Sequence, residues 1–322
     1  MRRLALVAVA GVALLAAAGA LYQAACVARE ATRFPPPGVL VDVGGRKLHI
    51  VCAGEGAPTV IFEGSGFGNS LSFSRARTAV AAHTRVCSYD RLGTGWSDPG
   101  PDVVTVGVLA DDLSALLPGA SLPPPYILVP SSIGGLTVEL FARRHPEQVA
   151  GLVFLDAANS DTFERRASNL GLIARIGACL LPVAARVGAL RVLDPWGLRS
   201  DAQAAALMYR SERWDTFCSF ARGIAPSLEE FQSAPAFPAD VPLVVLSHEK
   251  ATEFLPGGLD SLAPELVGDW YPMQQRFAAR STRGSWRVVP GSGHLIASDQ
   301  PEAVASTVLE MLAQVRVADN TR

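Results

Sequence analysis

The chain has 322 residues, 49% of them hydrophobic, enough for one large domain with an insertion and no shortage of core. Its 28 basic and 30 acidic residues give a formal net charge of -2 with no long run of either sign, which argues against a nucleic-acid partner and for a neutral or small substrate. No Cys-x-x-Cys and no His-x-x-x-His spacing occurs, so a metal site has no support and no cofactor is expected.

Arg2 and Arg3 precede a stretch from Leu4 to Ala28 without a charged residue. About 20 apolar residues cross a bilayer core, whereas the apolar region of a signal peptide runs to about 7 to 15, so residues 1–32 read as a retained single-pass anchor. The positive-inside bias holds Arg2 and Arg3 in the cytoplasm and sends the chain after Ala28 to the extracytoplasmic side. The rival reading is a signal segment cleaved near the small residues Ala18-Gly19-Ala20, which makes the protein secreted; Cys26 lacks the leucine three places earlier that a lipoprotein signal carries. "RFPPPG", Arg33 to Gly38, has three prolines that cannot extend a helix and forms a stiff linker over 33–38.

From Val39 short β-rich runs alternate with helical patterns: "KLHIVC", "PTVIFEG", "TRVCSYD", "YILVP", "GLVFLD", "PLVVLS" and "WRVVPG". Several are almost wholly apolar, as in Leu152–Leu155 and Leu243–Leu246, which suits strands covered on both faces of a largely parallel sheet. The fold class is α/β, its core split into 39–158 and 241–316, with a tail over 317–322. Between them, over 159–240, "LGLIARIGACLLPVAARVGALRVL" and "SDAQAAALMYRSERWDTFCSFARG" predict an inserted helical cap. The first piece is apolar on most faces; burial against the core is the plainer reading, and contact with lipid or a lipophilic substrate the sharper one. An extracytoplasmic domain permits disulfides, but Cys52 and Cys87, both in strand-like runs, are read as buried free thiols, with a cross-strand bridge as the alternative.

In "ILVPSSIGGLTVELFARRHP", Ile127 to Pro146, a strand stops at two serines and a helix begins. A strand, a sharp turn and a helix hold one hydroxyl exposed, with the helix amino terminus behind it to favour developing negative charge. Ser132 stands two residues before Gly134, and that spacing selects it over Ser131 as nucleophile. Pro130 departs from the usual Gly-x-Ser-x-Gly spelling by removing a strand N–H and adding bulk, while keeping Val129 extended.

With "VIFEGSGFGNSLSF", "YDRLGTGWSDPGP" and "VVPGSGHLIASDQPEAV" in the same order, the chain from about Val39 to Val315 resembles the α/β-hydrolase superfamily. The resemblance implies a serine hydrolase, esterase-like, with a small-molecule ester as substrate. His294, in the loop between the last strand and last helix, matches the family's base, leaving structural roles to His49, His83, His145 and His248. It implies an oxyanion hole made by the amides of Ile133 and Gly66. Asp90 and Arg91 in "YDRLG" match a family motif and are read as a loop-stabilising salt bridge.

The family draws its triad acid from either of two strand ends. After "PLVVLS" the positions near Lys250 and Ala251 hold no aspartate and only Glu249 is close, so Asp156, at the end of "GLVFLD", is the predicted acid, with Asp161 as second candidate and a helix cap as the plainer role. Two functions follow. One is a membrane-held serine hydrolase cleaving a carboxylic ester through an acyl-enzyme on Ser132. The alternative, motivated by Pro130 and Ser131, is a catalytically silent scaffold that binds a ligand or partner under the cap. Oligomeric state has no signal in the sequence.

Overall fold

The structure, a computed structural model, describes residues 1–66, 68–167, 172–250 and 270–319, with the side chains of 166–175 and 319 outside that description. The strands are β1 (Val39–Asp42), β2 (Lys47–Ala53), β3 (Thr59–Glu63), β4 (Val86–Tyr89), β5 (Tyr126–Pro130), β6 (Val149–Leu155), β7 (Leu243–His248) and β8 (Gly284–Val289). They form one sheet in the order β1-β2-β4-β3-β5-β6-β7-β8. The pairs β1/β2 and β2/β4 are antiparallel, and every pairing from β4 to β8 is parallel. All seven expected runs are strands; β1 is the addition, a four-residue segment too short to show a period.

Among the described residues the helices are α1 (Arg2–Arg33), α2 (Ser74–Ala81), α3 (Val106–Gly119), α4 (Gly134–Arg144), α5 (Ser160–Ala167), α6 (Leu172–Arg186), α7 (Ala189–Leu193), α8 (Ala202–Met208), α9 (Ser211–Arg222), α10 (Ile224–Ser233), α11 (Trp270–Ala278), α12 (Ile296–Asp299) and α13 (Pro301–Asp319). The apolar strands are explained by what covers them. Alternate residues point to opposite faces, so Ile61, Leu128, Leu152 and Phe154 pack with α3, α4 and Phe277 of α11, while Val60, Phe62, Val129 and Val153 pack with α2 and α13 through Val80, Val304 and Val308. Both faces are dry, and no polar alternation is needed.

Helices α5 to α10 leave the sheet after β6 and return the chain to β7, next to β6. Ala185, Leu190, Tyr209 and Trp214 form a small core of their own there. Helix α9 is stapled to α6 by the disulfide Cys179–Cys218, and the cap grips the body where Ser219 O accepts from Val104 N–H (3.2 Å) and Ser227 Oγ from Val106 N–H (3.0 Å).

The free-thiol expectation for Cys52 and Cys87 is corrected. They are register partners on the antiparallel pair β2/β4, with Cα atoms 4.0 Å apart, and they form a disulfide. Cys52 is moreover exposed, so only Cys87 is buried. Sequence alone could not set that register, which depends on β2 and β4 meeting across 35 residues. Cys26 is free. Helix α1 is long and apolar enough to cross a membrane.

Candidate active site

Strand β3 is flanked by β4 on one side and β5 on the other, so the loops that follow β3 and β5 run apart and open a crevice at the carboxyl ends of the strands. Every sequence-predicted site residue lies on loops at this edge. Pro130 ends β5 opposite Glu63 of β3. The next two amides hold the turn to both neighbouring strands: Ser131 N–H donates to Glu63 O (3.0 Å) and Ser132 N–H to Leu155 O (3.3 Å). Neither bond needs the N–H that Pro130 lacks, which is why the turn survives the proline. Ser131 itself is buried.

Ser132 has φ 53°, a left-handed conformation that a non-glycine residue keeps only when its surroundings enforce it. Enforcement comes from Ala158 N–H, which donates to Ser132 O (2.8 Å), and from two close approaches beneath the turn. A Cβ on Gly134 would lie 2.7 Å from Glu63 Cγ and Gly64 O, and one on Gly135 2.0 Å from Ala158 O. Only glycine fits at either position.

His294 follows β8, and its Nε2 lies 2.8 Å from Ser132 Oγ while Nδ1 lies 2.6 Å from Asp156 Oδ2. Asp156, at the end of β6, is fully buried and also left-handed, with φ 45°. Its Oδ1 accepts from Trp270 Nε1 (2.6 Å) and from His248 N–H (3.3 Å), and its Oδ2 takes His248 Nδ1 (2.7 Å) beside His294. Burial pushes this carboxyl up, but the hydrogen bonds from His248 and His294 outweigh it and hold the group below the usual carboxylate range. The structural role expected for His248 falls inside the candidate site. The residue stands at the carboxyl end of β7 and holds the carboxylate that also meets His294.

The other acid candidates point elsewhere. Asp161 pairs with Arg280, and Glu249 accepts from Gly291 N–H (2.8 Å); Ala251 lies outside the described residues. Of the remaining histidines, His49 sits in β2 against Asp90 (2.8 Å), His83 follows α2 and His145 ends α4. Asp90 and Arg91 are not paired with each other as expected. Asp90 accepts from Ser70 N–H (2.6 Å), and Arg91 donates to Gly64 O (2.8 Å), Ser65 O (2.6 Å) and Glu63 (3.4 Å). Glu63 is raised by burial, against the pull of Arg91 and Tyr89.

With Arg213 donating to Gly66 O (3.1 Å), the carbonyls of Gly64, Ser65 and Gly66 are all drawn toward guanidinium groups. Burial and the like charge of Arg91 push Arg213 down to about 10. The Gly66 and Ile133 amides make no hydrogen bond to another group among the described residues, and a Cβ on Gly66 would touch Ile133 Cγ2 at 3.5 Å. Two unengaged amides at a turn that carries a half-buried hydroxyl are suited to a developing oxyanion.

Gly66 and Ile133 also line an apolar cavity whose walls include Leu92 and, from α9, Trp214, Phe217 and Phe220. The ligand atoms of Asp156, His248 and His294 lie within 4.8 Å of one another, compact enough for a cation. Yet the O···N separations of 2.6 and 2.7 Å are hydrogen-bond lengths, shorter than the roughly 3.3 Å between ligands of a tetrahedral zinc, so the cluster would have to part to admit one.

Sequence reasoning missed His248, Trp270 and Arg213. The first had a usable signal, a titratable residue at the carboxyl end of a buried strand. Trp270 and Arg213 reach the site only through tertiary contacts.

Residues 48–307 match the alpha/beta hydrolase family, and the chain belongs to it. An uncharacterized protein of Schizosaccharomyces pombe is 29% identical over 222 residues, 67% of this chain and 38% of that one. The pimeloyl-[acyl-carrier protein] methyl ester esterase of Shewanella woodyi is 37% identical over 119 residues, 37% of this chain and 42% of its own. The chain thus spans less than half the length of either curated relative. Among solved structures, a thermophilic esterase from Thermogutta terrifontis superposes with a TM-score of 0.60 at 22% identity, over 86% of this chain and 98% of that one, a likeness of fold.

Proposed function

We propose that this chain is a serine hydrolase that cleaves carboxylic esters through an acyl-enzyme on Ser132. The observation that carries the proposal is the hydrogen-bonded line from Ser132 Oγ through His294 to Asp156, at 2.8 and 2.6 Å. His294 Nε2 takes the Oγ proton as Oγ bonds to the ester carbon, and the carbonyl electron pair moves onto oxygen between the Ile133 and Gly66 amides. The pair returns, the alcohol leaves with the proton from Nε2, and water repeats the sequence to release the acid. Asp156 holds the tautomer with Nδ1–H and stabilises the imidazolium.

The apolar cavity favours a lipophilic acyl or alcohol part, and the likeness to a methyl ester esterase supports ester over other acyl transfer. Helix α1 is the single span among the described residues, with the catalytic domain on the extracytoplasmic side; two disulfides suit that oxidising compartment. A fluorophosphonate followed by peptide mass spectrometry tests the chemistry. The adduct is expected on Ser132 and absent from Ser132→Ala, and esters of graded chain length should be cleaved. An adduct on Ser131, or none on the folded protein, overturns the assignment, and the latter leaves a ligand-binding scaffold.

A further inference from the structure

Helix α1 is covered by the cap over part of its apolar length. The partly or fully covered residues are Ala16, Gly19, Gln23, Cys26, Val27 and Glu30, spaced mainly by threes and fours along one face. Gly19 sits directly on the main chain of Val187, where a Cβ would lie 2.2 Å from the carbonyl oxygen. Polar groups close the contact lower down. Gln23 Nε2 donates to Tyr209 O (2.6 Å), and Arg191 donates to Gln23 Oε1 (3.0 Å) and Glu30 Oε2 (3.0 Å).

Depth follows from counting. From Leu4, about 20 residues at 1.5 Å each cross a hydrocarbon core of about 30 Å, which brings Gln23 to its far boundary. Gly19 is then roughly 6 Å short of that boundary, among acyl chains, and Val187 with it. The cap next to this contact displays what an aqueous surface would not. On α6, Ile176, Leu180 and Val183 are 52%, 62% and 57% exposed, and on α7 Val192 and Leu193 are 58% and 74% exposed. Ile176, Leu180, Val183 and Val187 share one helical face, so the exposed row runs into the residue that touches Gly19.

We propose that this α6–α7 face of the cap is seated in the outer leaflet of the bilayer, so that the protein meets the membrane through a span and an interfacial face together. The proposal rests on α1 being a span and is independent of the triad. Because Cys179–Cys218 joins α6 to α9, the wall that carries Trp214, Phe217 and Phe220 stands one helix away from lipid.

Full-length protein in phosphatidylcholine nanodiscs containing a phosphatidylcholine with a diazirine in its acyl chain tests this by peptide mapping after irradiation. Adducts are expected in residues 4–15 and also in 176–193, with α13 peptides unlabelled, and the same pattern in Ser132→Ala. Adducts confined to α1 overturn the seated cap while leaving the span; none on α1 removes the span and the proposal with it. The double variant Leu180→Glu/Leu193→Glu should remain membrane-held and keep its turnover of a short water-soluble ester, which reports folding. Its cap adducts should fall by roughly fivefold or more, since charge resists burial among acyl chains; undiminished cap labelling would overturn the proposal.

Discussion

Among the described residues the Asp156 carboxylate accepts four hydrogen bonds, and two of its partners are imidazoles approaching the same oxygen. His248 does not line the apolar cavity, and in the proposed mechanism it acts by fixing the carboxylate that orients His294. His248→Ala should lower kcat by about tenfold with little change in KM, and His248→Asn, which restores a short donor, should recover most of it; steady-state kinetics on one ester decides. A second expectation concerns acid. The Asp156 carboxyl is depressed in the folded state, so the unfolded chain binds its proton more readily below about pH 4. Its contribution to stability is complete above that pH and declines as pH falls through the depressed value. Urea midpoints of the wild type and Asp156→Asn, compared from pH 6 downward, should converge in that window, and a constant gap would contradict the assignment. The proposed triad of Ser132, His294 and Asp156 was legible as a candidate because each residue sits in a local pattern of strand end and loop. His248 was not, because the contact that gives it meaning joins residues 92 apart.

The turn between β5 and α4 works as a unit with the ends of β3 and β6. Gly135 packs against Ala158 O with no flexible side chain to give way, so Gly135→Ala must move backbone in α4 or in the loop after Asp156. A loss of about 2 kcal/mol or more is expected from overpacking of this kind, together with weaker fluorophosphonate labelling as Ser132 is displaced. Thermal melts and labelling rates on one preparation measure both. The apolar runs that became β3, β5, β6 and β7 could be read from sequence because both faces are covered. β1, with one buried residue in four, could not. Pro130 raised doubt about the turn because the sequence does not say which amides pin it. Those of Ser131 and Ser132 do, and they follow the proline.

At the scale of the whole molecule, two disulfides of sequence separation 35 and 39 tie distant elements, one within the sheet and one within the cap. Chain-entropy reasoning assigns each about 4 kcal/mol, so tris(carboxyethyl)phosphine should lower the melting temperature in two steps if cap and sheet lose order separately. Calorimetry with and without reductant, and with Cys179→Ser/Cys218→Ser, assigns the steps. Composition and strand order were enough to predict an α/β body with a helical insertion. The docking of α1 on the cap was not readable, since an apolar helix has the same pattern whether lipid or protein covers it.

Arg213 belongs to α9 in the cap, yet its guanidinium holds the carbonyl of Gly66, which lines the same cavity as Ile133, the residue after Ser132. A ligand that shifts α9 therefore also shifts a peptide dipole in the site. On the proposed serine-hydrolase reading, the length of the substrate's tail is then felt in the rate of bond breaking as much as in the tightness of binding, a division set by one arginine of the cap.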